Sequence, residues 1–165
     1  MRALAVSEDL PYLAKLSALL SQQSGIEVVG RASTGWEGLK LAAQLDCHLV
    51  VTDYNLPDMT GAAMALALKK NLRPPLVVIV SGQKGLEFLE LAANAGADGY
   101  LLKDDISRLP ALLRNIDPAS ASTTDRNRTA TLFGRKRKPL LKDRNPGPTL
   151  MGGRSRGRRR PEDTG

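Results

Sequence analysis

The sequence predicts an open α/β fold, a five-stranded parallel sheet covered by helices on both faces. Five short runs carry this expectation: "RALAV" (2–6), "IEVVG" (26–30), "HLVVT" (48–52), "PLVVIVS" (75–81) and "GYLLK" (99–103). They are strongly apolar and rich in Val, Ile or Leu, as strands buried on both faces are. Between them, apolar residues recur at helical spacing, each set giving one stripe for a sheet face. Strands alternating with helices imply right-handed crossovers, which place helices on both sides of the sheet.

Each element has its own justification. After the first strand, Asp9 reads as a helix N-cap, with Pro11 tolerated in the first turn and Leu13, Leu16 and Leu20 as the buried stripe. The second helix is expected to bury Trp36, Leu39 and Ala43. The third strand stops at Asp53 and a Pro and Gly turn, and the Ala-rich "GAAMALALKKNL" that follows is a good helix former ended by Pro74 and Pro75. The fourth helix is expected to bury Leu86, Leu89 and Ala93, and the fifth Leu109, Leu112, Leu113 and Ile116. Pro110 would sit too deep in a helix capped at Asp105, so Ser107 is the expected cap.

Charge divides the 165-residue chain in two. Residues 1–116 hold 11 Lys and Arg against 12 Asp and Glu, a net of −1; residues 117–165 hold 13 against 5, a net of +8. The first part reads as one domain with a proper core. The second has scattered apolar residues and no sustained period, so a disordered basic tail is expected there. One cysteine, Cys47, excludes an intramolecular disulfide and a multi-thiolate metal site, which fits a reducing compartment. "MRALAV" is too short for a signal-peptide core, and no run approaches the roughly 20 apolar residues of a membrane span. A cytoplasmic, soluble protein without membrane contact is expected.

In parallel sheets of this kind, ligands sit outside the carboxyl ends of the strands. Those ends offer Ser7, Glu8 and Asp9, then Asp53, then Ser81, then Lys103. Carboxylates at one point suit a hard cation such as Mg2+, which keeps several waters and shares phosphate oxygens. A phosphoryl group there needs positioning and positive counter-charge, which Mg2+, the Ser81 hydroxyl and Lys103 would supply. Asp53 would be the nucleophile, forming an acyl phosphate.

"VVTDYNLPDMTG", "VVIVSG" and "GADGYLLK", in this order and spacing, resemble the receiver domain of bacterial two-component response regulators. The resemblance covers residues 1 to about 116 and implies the flavodoxin-like (βα)5 fold with strand order 2-1-3-4-5, an order for which a receiver is itself the standard example. "GYLLKDD" is most similar to the subfamily that carries a helix-turn-helix output domain. Carried over by position, the resemblance implies Asp53 as phosphoacceptor, Ser81 as switch hydroxyl, Lys103 as phosphoryl contact and Tyr100 as the rotating aromatic. It also implies a Mg2+ site of Glu8, Asp53 and the Asn55 carbonyl. The implied partner is a sensor histidine kinase or phosphotransfer protein, with a receiver dimer as a further expectation. Such a domain is a phosphoacceptor, not an enzyme beyond self-catalysed phosphotransfer.

One departure bears on the chemistry. The family has two adjacent acids after the first strand, where this chain has Ser7 and Glu8. A one-residue shift would make Glu8 and Asp9 the metal pair, but it would move the first helix's stripe out of register. His48 and Cys47, at the opposite end of the third strand, read as structural. In the tail, Arg135, Lys136, Arg137 and Lys138, and then Arg158, Arg159 and Arg160, are runs of the kind that contact phosphate backbones. Its Arg, Pro and Gly richness is equally compatible with a solvated tail or with out-of-frame translation in place of an output domain. Two rival readings are a degenerate receiver that only docks a partner and a transcription regulator that touches DNA through the tail.

Overall fold

The structure, a computed structural model, describes residues 1–116; the tail, with the basic runs around Arg135–Lys138 and Arg158–Arg160, lies outside the described residues. Five strands, β1 (Arg2–Val6), β2 (Glu27–Ala32), β3 (Leu49–Asp53), β4 (Leu76–Ser81) and β5 (Gly99–Leu102), alternate with five helices. The helices are α1 (Leu10–Ser21), α2 (Gly35–Gln44), α3 (Gly61–Leu68), α4 (Leu86–Asn94) and α5 (Leu109–Ile116). All pairings are parallel, in the order β2-β1-β3-β4-β5. The central strand β3 is buried at every residue, which explains its unbroken run of apolar side chains.

Two cores lie on the two faces. On one, Leu13, Leu16 and Leu20 of α1 and Leu109, Leu112 and Leu113 of α5 meet Ala3, Ala5, Leu49, Val51, Val78 and Val80. On the other, Leu4, Val6, Val50, Val77 and Ile79 meet Ala42 of α2, Met64, Ala65 and Leu68 of α3, and Ala92 of α4. The alternate residues of one strand thus feed opposite cores, as the pleat requires.

Capping follows the sequence. Asp9 accepts the Tyr12 amide at 3.0 Å, Thr34 that of Glu37 at 3.2 Å and Thr60 that of Ala63 at 3.1 Å. Three expectations need correction. Trp36 and Ala43 of α2 are exposed, and the helix instead buries Gly35, Gly38 and Ala42 with Leu39 half-buried beside them. In α4, Leu86 is exposed; Phe88 and Ala92 face the core, Phe88 edge-on to Tyr54 with centroids 5.2 Å apart. Ser107 does not cap α5. It lies inside a 3-10 helix over Lys103–Arg108, after which α5 starts at Leu109 and Pro110 falls harmlessly in its first turn.

Candidate phosphoacceptor site

The carboxyl ends of β1, β3 and β4 bring Ser7, Asp53 and Ser81 to one rim, and all three are buried. Ser7 follows β1 directly, its amide bonded to the Ala32 carbonyl at 3.0 Å. Asp53 is the last residue of β3 and stands opposite Val80 of β4. Behind it the chain turns sharply: the Gly61 amide donates to the Tyr54 carbonyl at 2.6 Å, and a Cβ on Gly61 would come within 2.3 Å of the Asp53 carbonyl oxygen. Only glycine lets the start of α3 approach the acceptor strand this closely.

Asp53 Oδ2 receives two donors, the Ser7 hydroxyl at 2.5 Å and Lys103 Nζ at 2.8 Å. Asp53 Oδ1 is buried and has no hydrogen-bond partner among the described residues. Burying a carboxylate is costly unless its charge is compensated. Lys103 supplies the compensation from the end of β5, and an oxygen with unused lone pairs remains. Lys103 Nζ also lies 4.4 Å from the centroid of the Tyr12 ring. Tyr12 belongs to the first turn of α1; burial, and then the charges of Asp53 and Asp9, push its phenol well above the usual range, so it stays neutral.

Of the other expected residues, Ser81 and Tyr100 are joined through Gln83. Ser81 Oγ accepts the Gln83 amide at 2.9 Å, and the Tyr100 hydroxyl donates to the Gln83 carbonyl at 2.9 Å. Burial raises the Tyr100 pKa. Glu8, Asp9 and Asn55 are exposed around the rim. Asp9 Oδ1 is spent on the α1 cap, which weighs against Asp9 as half of a metal pair. Among the described residues, no three His, Cys, Asp or Glu side chains gather into a metal-holding group. Cys47 is buried at the opposite edge, and His48 Nδ1 there accepts the Arg2 amide at 3.2 Å.

The response regulator receiver domain family matches residues 4–114. This chain belongs to that family. The family match agrees with the buried Asp53–Lys103 ion pair and with the observed strand order. Among curated relatives, the nitrate/nitrite response regulator protein NarL of Escherichia coli is 38% identical over 98 residues, 59% of this chain and 45% of that protein. The virulence factors putative positive transcription regulator BvgA of Bordetella pertussis is 30% identical over 100 residues, 61% of this chain and 48% of that protein. The receiver thus spans less than half the length of these curated relatives. Among solved structures, the signal receiver domain of the response regulator NarL from Mycobacterium tuberculosis aligns with a TM-score of 0.64 at 26% identity, over 71% of this chain and 96% of that one. No helix among the described residues is long and apolar enough to cross a membrane.

Three contributors escaped sequence reasoning. The sequence places Ser7 at the rim where the family has an acid, but it carries no sign that the Ser7 hydroxyl is bonded to the acceptor itself. Tyr12 carried no signal beyond an aromatic in the first turn after a strand end. Asp58, in the loop after β3, accepts the Gly35 amide at 2.7 Å and the Trp36 amide at 2.8 Å. The bond from Trp36 foremost holds its carboxyl below the usual range. Asp58 thereby ties the acceptor loop to the start of α2, where an anion also meets the helix dipole favourably.

Proposed function

We propose that this receiver takes a phosphoryl group on Asp53 from the phosphohistidine of a sensor histidine kinase or phosphotransfer protein. A carboxylate oxygen of Asp53 forms the new O–P bond while the N–P bond breaks, and its electron pair leaves with the imidazole. The observation that carries this reading is the uneven use of the carboxylate: Oδ2 holds Lys103 and Ser7, while Oδ1 is buried and unspent. A merely structural aspartate would have both oxygens satisfied. As negative charge arrives, Lys103 is already within reach of the phosphoryl oxygens, and positioning of this kind is most of what phosphoryl transfer needs.

The unpartnered Oδ1 and the exposed Glu8 carboxylate fit a hydrated Mg2+ ion, with the Asn55 carbonyl as a third oxygen. When bound, that ion would draw charge from the phosphoryl oxygens. The adduct carries about two negative charges in place of the single charge of the Asp53 carboxylate, beside Ser81 and Tyr100. Both are tied to Gln83, so a shift of either moves the loop that leads into α4. That loop and β5 are the surface through which we infer an output, or a second receiver, is engaged.

Incubation with Mg2+ and a small phosphodonor such as acetyl phosphate, followed by intact mass, tests the reading. One acid-labile adduct is expected, absent without Mg2+ and absent in Asp53→Asn. An undiminished adduct in that variant would refute the assignment. Ser7 at the position of an acid favours the rival docking-only reading, which requires that no adduct form under any of these conditions. For the segment 117–165, the net charge of +8 supports salt-sensitive, sequence-independent contact with nucleic acid. With about six phosphate contacts, log K should fall with log[salt] at a slope near −5.

A further inference from the structure

Lys103 has two neighbours that fix its ammonium group, and only one of them changes on phosphorylation. One is Asp53 Oδ2 at 2.8 Å, whose negative charge moves outward onto the phosphoryl oxygens once the acyl phosphate forms. The other is the face of the Tyr12 ring, 4.4 Å from Nζ, which does not change. A cation over an aromatic face is attracted by the ring quadrupole, more strongly where water is partly excluded. Lys103 is 30% exposed and Tyr12 packs against the core shared by α1 and α5, so this contact is partly sheltered.

We propose that Tyr12 is a positioning residue for phosphoryl transfer, a platform that keeps Lys103 Nζ over the acceptor while the charge it serves moves from carboxylate to phosphoryl oxygens. The claim rests on the phosphoacceptor reading above. Without the platform, a lysine with four rotatable stem bonds must be reordered by the phosphoryl group itself, and that ordering entropy is added to the barrier. The ring is what matters. The Tyr12 hydroxyl is buried and has no hydrogen-bond partner among the described residues, so it holds nothing in place. Removing it costs no bond.

This distinction sets the test on the full chain, with Tyr12→Phe keeping the ring and Tyr12→Leu keeping only apolar volume. Two readouts are taken: the NMR shifts of the Lys103 ε-methylene protons, and the rate of acyl-phosphate formation from acetyl phosphate at saturating Mg2+. Protons above a ring face are shifted upfield; the shift is expected in the parent and in Tyr12→Phe and lost in Tyr12→Leu. Phosphoryl uptake is expected to match the parent in Tyr12→Phe and to slow about three- to tenfold in Tyr12→Leu. A merely structural role predicts a different pattern, in which Tyr12→Leu melts early yet takes up phosphoryl groups at the parent rate once folded. That result, or an unshifted Lys103 in the parent, overturns the proposal. A parent that shows the shifted lysine but forms no adduct refutes the phosphoacceptor reading, and with it the effect on rate claimed for Tyr12.

Discussion

Two Lys–Asp pairs sit at opposite ends of the same sheet, and they are used differently. At the amino ends of the strands, Lys69 meets Asp98 Oδ2 at 2.6 Å. That oxygen also accepts the Val77 amide at 2.7 Å, and Lys69 Nζ donates to the Pro75 carbonyl at 2.7 Å. The pair is absorbed into backbone bonds that fix where α3 ends and β4 and β5 begin. At the carboxyl ends, Lys103 and Asp53 are 2.8 Å apart, but Asp53 Oδ1 has no partner among the described residues and Lys103 leans on a ring face instead of a carbonyl. Both carboxylates take two donors on Oδ2; the first pair spends them on architecture at a partly exposed position, whereas the second leaves a buried oxygen unpartnered. An ion pair is common to both, but the Asp98 side chain is 28% exposed and that of Asp53 only 3%, so it is a buried carboxylate with an unpartnered oxygen that marks the functional end.

The largest expected effect comes from exchanging each lysine for methionine. Lys103→Met should slow phosphoryl uptake by about a hundredfold or more, the usual scale for losing a preorganised charge-stabilising group. Lys69→Met should leave the rate within about twofold. Equal losses in the two variants, read by intact mass over time, would erase the distinction.

Ser7→Asp sharpens it further. The hydroxyl now bonded to Asp53 Oδ2 would become a carboxylate beside another, in a position with no solvent exposure. Like charges there should cost about 2–4 kcal/mol in chelator. Mg2+ should recover much of this, and metal affinity should rise above the parent's. Urea unfolding with and without Mg2+ measures both, and identical affinities would mean that Ser7 does not line the metal position.

At the other end, Lys69→Met should lower unfolding free energy by about 1–2 kcal/mol, because Asp98 loses one charged donor but retains the Val77 amide. A loss below a few tenths of a kcal/mol would show that the backbone bonds alone suffice. The smallest effect concerns alkaline pH. Tyr12 and Tyr100 both have pKa values raised above the ordinary 10.0, chiefly by burial. Their neutral forms therefore contribute stability that is fully present below pH 10 and is lost as pH rises above it. Tyr12→Phe should flatten part of that alkaline fall in melting temperature; an unchanged slope would place the loss elsewhere.

The strands were legible because a parallel sheet buried on both faces leaves continuous apolar runs, and β1 matched its expected span residue for residue. The stripes of α2 and α4 were misjudged for a physical reason. These helices start at the rim, where Trp36 and Leu86 face solvent, and α2 packs through Gly35, Gly38 and Ala42, residues too small to stand out as a stripe. Gly38 illustrates the need for small size, since a Cβ there would come within 2.6 Å of the Met64 side chain. Asp53 and Lys103 were legible through motif order. The bonds that distinguish them were not: Ser7 and Asp53 are 46 residues apart, and Asp98 reaches back 21 residues to Val77. Such pairings depend on strand order and twist, to which local pattern is blind.

The central claim is that a buried carboxylate with an unspent oxygen, not ion pairing alone, marks the acceptor. It is tested most directly by comparing Asp53→Asn with Asp98→Asn for adduct formation and unfolding free energy together. The expected result is a double dissociation. Asp53→Asn should form no adduct and change stability by less than about 1 kcal/mol, since Lys103 can turn toward water. Asp98→Asn should be phosphorylated like the parent and lose about 1–3 kcal/mol. An adduct retained in Asp53→Asn, or one lost in a folded Asp98→Asn, would contradict the account.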